Sequence, residues 1–243
     1  MPAYLTERDN FIYLTVALTL LLFGTALVGQ FSSVLGHTLL QATIVMTLLI
    51  SVWGVRANRV WYRTWLGFLL VLALLTLAGQ FLQLKELDVV HLLVLLAFFS
   101  LSTWHAIRLV LFTGHIDTNK ILGAICVYLL LGLAWGILYL LLLEIAPDAL
   151  KGLPPAHWYE NFNTLVYFSF VTLTTLGFGD ITPVTPIARF LVYMEAIAGQ
   201  FYLAILVASL VGIRVSSYTS NHQEQLHSVN PASHDQTTAS RKP

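Results

Sequence analysis

Between Thr174 and Asp180 the chain reads Thr-Thr-Leu-Gly-Phe-Gly-Asp, the stretch whose residue types and spacing point most directly to a chemistry. What it offers is backbone. An extended strand alternates its carbonyls between two sides, so aiming consecutive carbonyls one way demands unusual dihedrals. Gly177 and Gly179 stand where alternate residues must accept positive φ, which glycine does without steric cost. Carbonyl oxygens from several chains, stacked as successive rings, can then replace the water shell of a cation. The expected ligands are the carbonyls of Thr175, Leu176, Gly177 and Phe178, with the Thr175 hydroxyl innermost. The side chains of Leu176 and Phe178 are expected to turn away from the ion and pack into the surrounding wall.

The elements that must hold this strand are apolar. The chain has 243 residues, 57% hydrophobic and 10% charged, too little charge to cover a soluble domain of that size. Six stretches have the length and hydrophobicity of spanning helices, near 11–30, 38–55, 64–82, 89–112, 121–145 and 187–213. Residues 146–162 contain Pro147, Pro154 and Pro155 and read as a polar loop. Residues 163–174 then form an apolar helix of about 18 Å, half a bilayer, with Asn163 as its N-cap. A half-helix followed by a strand is a re-entrant hairpin, because non-helical backbone at membrane depth survives only inside protein or beside water. The negative end of the half-helix dipole, near Thr174, faces the mid-membrane and favours a cation there.

Charge sets the orientation. With the N-terminus inside, only Lys85, Lys151 and Arg189 of the 12 Lys and Arg residues fall outside, as the positive-inside tendency requires. Both termini are then cytoplasmic, in a multi-pass protein of the cell (plasma or inner) membrane. Formal net charge is zero, which argues against a nucleic-acid partner. No Gly-x-Ser-x-Gly, His-Glu-x-x-His or paired aspartates occur in the spans, so nothing points to an enzyme, and no cofactor is expected. The single cysteine, Cys126, sits in an apolar run and reads as packing.

The segment resembles the signature of the potassium-channel pore family, whose commonest filter is Thr-Val-Gly-Tyr-Gly-Asp. The likeness extends to Tyr167-Phe168-Ser169, similar to the aromatic cuff of the pore helix, and to Asp180-Ile181-Thr182-Pro183, similar to the outer-mouth turn. Ala196-Ile197-Ala198-Gly199, with Ala204 and Ala208, resembles the inner helix. It covers about residues 118–214. The resemblance implies an all-α membrane fold: a homotetramer conducting K+ passively among lipids, each subunit adding a quarter of the ion cage. Residues 1–115 become a peripheral four-helix bundle, 116–214 the pore domain with filter 175–180, and 215–243 a disordered cytoplasmic tail. Leu176 and Phe178 replace the usual valine and tyrosine; phenylalanine lacks the hydroxyl that braces the filter, which implies a less rigid filter that still prefers potassium. Val171 stands where some relatives carry a buried glutamate. A weakly selective cation channel and a potassium-uptake translocation subunit are the competing readings, the latter weakened by its need for four loops in one chain.

Residues around the filter divide by role. Tyr167, Phe168, Val171, Thr172 and Thr174 support it, and Asp180 shapes the outer mouth, with Arg189 as a possible partner of the same or a neighbouring subunit. Glu195, an ionisable group within a span, is expected to face protein or water. It is expected to bond behind the pore helix, with Thr172 as candidate, either bracing or gating the filter or serving only as an inter-helix link. Gly199 fits a hinge or a close-packing site. Gln200, Leu203, Val207 and Val211 follow helical spacing and are expected to line the cavity. The fourth span offers Arg108, His91 and His105 but no arginine ladder, so little voltage dependence is expected.

Overall fold

The computed structural model describes residues 10–28, 63, 66–68, 70–75, 85–112, 118–154 and 156–229. The second expected span, 38–55, lies outside them, as does residue 230 onward; of the third, 66–68 and 70–75 are helical. The long helices are α1 (Asn10–Val28), α2 (Lys85–Phe112), α3 (Thr118–Ile145), α4 (Trp158–Leu173) and α5 (Pro186–Val229). Among the described residues three helices are long and apolar enough to cross a membrane, over Leu87–Val110, Ile121–Ile145 and Pro186–Ser209. Six spans per chain therefore remain an expectation for the whole sequence.

Helix α3 is apolar on all sides, as a helix buried in lipid and protein must be. Against it pack α1, α2 and α4. Its Val127, Leu130, Leu133, Ala134 and Ile137 are buried, following the three-and-four spacing of a helix face. Cys126 fulfils its expected role: it is buried, with Sγ 2.9 Å from the Thr15 hydroxyl of α1.

Three boundaries differ from expectation. Helix α4 begins at Trp158, five residues before Asn163, and its N-cap is His157, without a side-chain capping bond. The reason lies in burial: Trp158, Asn161, Phe162 and Leu165 continue the buried stripe at helical spacing, and Pro155 rather than residue 162 is the last breaker. Glu160 in the first turn complements the helix dipole. Helix α5 runs to Val229, so 216–229 are helical rather than disordered. Each added residue of a nucleated helix gains a hydrogen bond, and no proline intervenes before Pro231. The third is a two-strand ribbon in the expected loop: β1 (Leu150–Lys151) pairs antiparallel with β2 (Thr182–Pro183), Leu150 opposite Pro183.

By its internal contacts the chain forms two units, residues 1–202 and 203–243. The described part of the second is the helical stretch 203–229.

Candidate functional site

Sixteen residues of α4 make about 24 Å of helix, short of a hydrocarbon core about 30 Å thick. Helix α4 sits close on α3 because α3 presents glycines to it. A Cβ on Gly132 would meet the Phe170 ring at 2.5 Å, and one on Gly136 would meet Val166 Cα at 3.2 Å. Sequence reading passed over this pair, although the Gly-x-x-x-Gly spacing is the signal for close helix approach in membranes.

After α4 the backbone leaves helical geometry in a regular way. Thr175, Gly177 and Gly179 have φ of 60°, 56° and 82°. Left-handed φ at every second residue is a backbone pattern able to turn successive carbonyls toward one side. The two glycines meet the expectation made of them. Nothing lies within 4 Å of where their Cβ atoms would be, so it is dihedral freedom, not crowding, that selects glycine here. Thr175, which has a Cβ, adopts the same region at a steric cost of about 1–2 kcal/mol. The start of the strand is tied to α4: the Leu176 and Gly177 amides both donate to the Val171 carbonyl, at 2.9 and 3.3 Å.

The far end is tied down as well. The amide of Val184 donates to the Ala149 carbonyl at 2.9 Å beside the β1–β2 ribbon, and the Thr185 hydroxyl accepts from the Ala188 amide, capping α5 ahead of Pro186. Arg189 Nε donates to the Pro183 carbonyl at 3.4 Å. Asp180 instead engages Tyr167. By accepting a side-chain hydrogen bond, helped by desolvation and its own charge, it holds the Tyr167 phenol above its ordinary value. Within the chain Asp180 thus leans on α4 and Arg189 on the Pro183 backbone.

Behind α4 lies a buried polar cluster. Glu195 of α5 has no exposed surface. Its Oε2 accepts from the Tyr139 hydroxyl of α3 at 2.5 Å, and its Oε1 lies 2.5 Å from Ser169 Oγ of α4. The expected contact from Glu195 behind α4 is present, but with Ser169 rather than Thr172. Four residues after Glu195, a Cβ on Gly199 would run into the Leu173 carbonyl oxygen at the end of α4. That contact makes Gly199 a close-packing site. Gln200 Nε2 reaches the Thr175 hydroxyl at 3.5 Å.

Residues 123–215 match the family model described as Ion channel. This chain carries the pore segment of an ion channel. Neither the comparison with curated proteins nor that with solved structures returned a match. The matched pore segment takes in α4, the Thr174–Asp180 segment, most of α3 and the first part of α5, which is the stretch singled out by its residues. It identifies a membrane-embedded channel rather than an enzyme.

Within this pore segment most of the expected support residues come together. Phe168, Val171 and Thr172 are buried, and the Phe168 ring packs on Tyr139 with centroids 5.0 Å apart. Thr174 caps α4, its hydroxyl donating to the Phe170 carbonyl at 2.6 Å. In the single chain Leu176 and Phe178 are 62% and 66% exposed. Leu203 and Val207 are likewise exposed, and the side chain of Val211 lies outside the described residues. Tyr139 and Tyr202 are residues that sequence reading missed. The Tyr202 hydroxyl donates to the Ala124 carbonyl at 2.6 Å, and no motif marks either tyrosine.

Proposed function

We propose that four copies of this chain surround one K+-selective pore, with Thr175–Gly179 as its filter. The observation that carries this reading is the alternation of left-handed φ at Thr175, Gly177 and Gly179. A strand with that alternation offers successive carbonyls to one side, the arrangement that can replace a cation's hydration shell ring by ring. The carbonyls of Thr175, Leu176, Gly177 and Phe178 are the proposed K+ ligands, with the Thr175 hydroxyl innermost and within reach of Gln200. One strand is a fraction of a cage, so a closed ring of subunits must complete it.

Exposure supports the same assembly. Residues 174–180 are all exposed in the single chain, and α5 presents Phe190, Tyr193, Met194, Ile197 and Phe201 uncovered. An apolar face of that size beside the strand fits contact with neighbouring subunits, which would also cover Leu176 and Phe178. Leu203, Val207 and Val211 are proposed to line the inner cavity, and both termini to lie in the cytoplasm of a plasma or inner membrane. The described part of the fourth expected span carries one arginine, Arg108, stacked 5.0 Å over Trp104, so opening is proposed not to depend steeply on voltage.

Purified full-length protein in liposomes tests the reading. Flux under opposed K+ and Na+ gradients should show strong K+ preference, and cross-linking in the membrane should end at four copies. Equal flux of the two ions, or a stable monomer, would overturn it.

A further inference from the structure

We infer that Glu195 is a neutral glutamic acid whose proton completes a hydrogen-bond chain joining α3, α4 and α5, making it a positioning residue for the filter. The inference rests on the pore reading above for its functional consequence, but not for its proton inventory. Ser169 Oγ lies 2.7 Å from the Gly132 carbonyl oxygen and 2.5 Å from Glu195 Oε1. A serine hydroxyl has one proton, and a carbonyl oxygen can only accept. If Ser169 gives its proton to Gly132, the contact with Oε1 is a hydrogen bond only when Oε1 carries a proton of its own. The chain then runs without a gap. Tyr139 donates to Oε2, Oε1–H donates to Ser169 Oγ, and Ser169 donates to the Gly132 carbonyl.

An ionised Glu195 breaks that order. Ser169 would have to turn its proton to the carboxylate, leaving its lone pairs against the Gly132 oxygen in a fully buried site. Among the described residues the hydrogen-bond partners of the Glu195 carboxyl are the hydroxyls of Tyr139 and Ser169, neither of which carries a positive charge. An unpaired buried charge is far more costly than a neutral acid with every polar atom bonded.

The position of this chain gives it its consequence. Ser169 is two residues before Val171, whose carbonyl holds the Leu176 and Gly177 amides. Glu195 is one turn before Gly199, which abuts the Leu173 carbonyl. Fixing Ser169 to Gly132 on one side and to Glu195 on the other therefore fixes the end of α4 from which the strand departs.

Infrared difference spectroscopy and ion flux on the full-length protein test this. At neutral pH the wild type should show the C=O stretch of a protonated carboxyl, shifted in deuterium oxide, lost in Glu195→Gln and displaced in Ser169→Ala. Glutamine can accept from Tyr139 and donate to Ser169 as the neutral acid does. Glu195→Gln should therefore rescue most of the K+ flux that Glu195→Ala loses, and Glu195→Asp, one methylene short, should not. Absence of the carboxyl band in the wild type, or a Gln variant that assembles yet conducts no better than the Ala variant, overturns the inference. Should the wild type conduct Na+ as well as K+, the K+ reading fails alone, because the band is read without an ion gradient.

Discussion

Polar side chains behave differently in the peripheral helices and in the pore half. In α1 and α2 they mostly bond back to their own helix: Thr19 to the Thr15 carbonyl, Thr25 to Leu22, Ser102 to Phe98 and Thr103 to Phe99. Such bonds satisfy a hydroxyl in lipid without specifying a neighbour. In α3, α4 and α5 the polar groups reach across. Ser169 joins Gly132 and Glu195, Tyr139 joins Glu195, Tyr202 joins Ala124, and Tyr128 lies 3.4 Å from the Leu173 carbonyl. Cross-helix bonds have direction where apolar contact has none. The pore half is therefore positioned, and the periphery is mainly packed. Side-chain bonds also join the two: the Thr15 hydroxyl of α1 lies 2.9 Å from Cys126 Sγ of α3, and Trp158 Nε1 of α4 donates to Asp88 Oδ1 of α2 at 3.0 Å.

That contrast can be broken by substitution. The largest effect is expected from Gly177→Ala, which places a Cβ on a residue with φ of 56° at a cost of about 1–2 kcal/mol per subunit. On the proposed reading, selective K+ flux should vanish while the oligomeric state of the wild type persists; retained selectivity would mean the dihedral alternation is not what the ion reads. Next is Gly199→Val, where the new side chain meets the Leu173 carbonyl. Over-packing of this kind costs about 1–3 kcal/mol, so a lower melting temperature with roughly tenfold less flux is expected. An unchanged protein would return Gly199 to the hinge reading.

Smaller effects sharpen the boundary between the regions. Trp158→Phe removes the donor to Asp88 and should cost about 1 kcal/mol in thermal unfolding, with flux altered only if the periphery acts on α4. Ser102→Ala should stay within about 0.5 kcal/mol, with flux unchanged. A large loss there would erase the distinction between packed and positioned helices. Tyr167 supplies the control with pH. Its phenol is held protonated by Asp180, so its contribution is complete below the ordinary tyrosine range and is lost only as pH rises through its raised value. Tyr167→Phe and wild type should accordingly differ by a constant amount around neutral pH, a difference lost only as pH rises above the ordinary tyrosine range.

Much of this was legible in the residues, by identifiable physics. Hydropathy marks α3 and the first part of α5, because a helix in lipid must be apolar whatever its partners. The non-helical segment after α4 is legible because Gly177 and Gly179 supply a backbone freedom that other residues lack, and left-handed φ values fall on them. The start of α4 was not: Trp158 to Phe162 belong to the helix because they bury one face against neighbours that local sequence does not display. The tail to Val229 was misread because composition weighs polarity, while helix propagation weighs the absence of breakers.

Sequence alone thus determined a membrane chain with one short glycine-bearing strand, since hydropathy and φ freedom are properties of individual residues. The tertiary structure decided which polar atoms meet. That Glu195 finds Ser169 and Tyr139 depends on the register of three helices, which Gly132, Gly136 and Gly199 allow to approach closely. Contact between distant residues is a property of that approach, and no single segment of the chain encodes it.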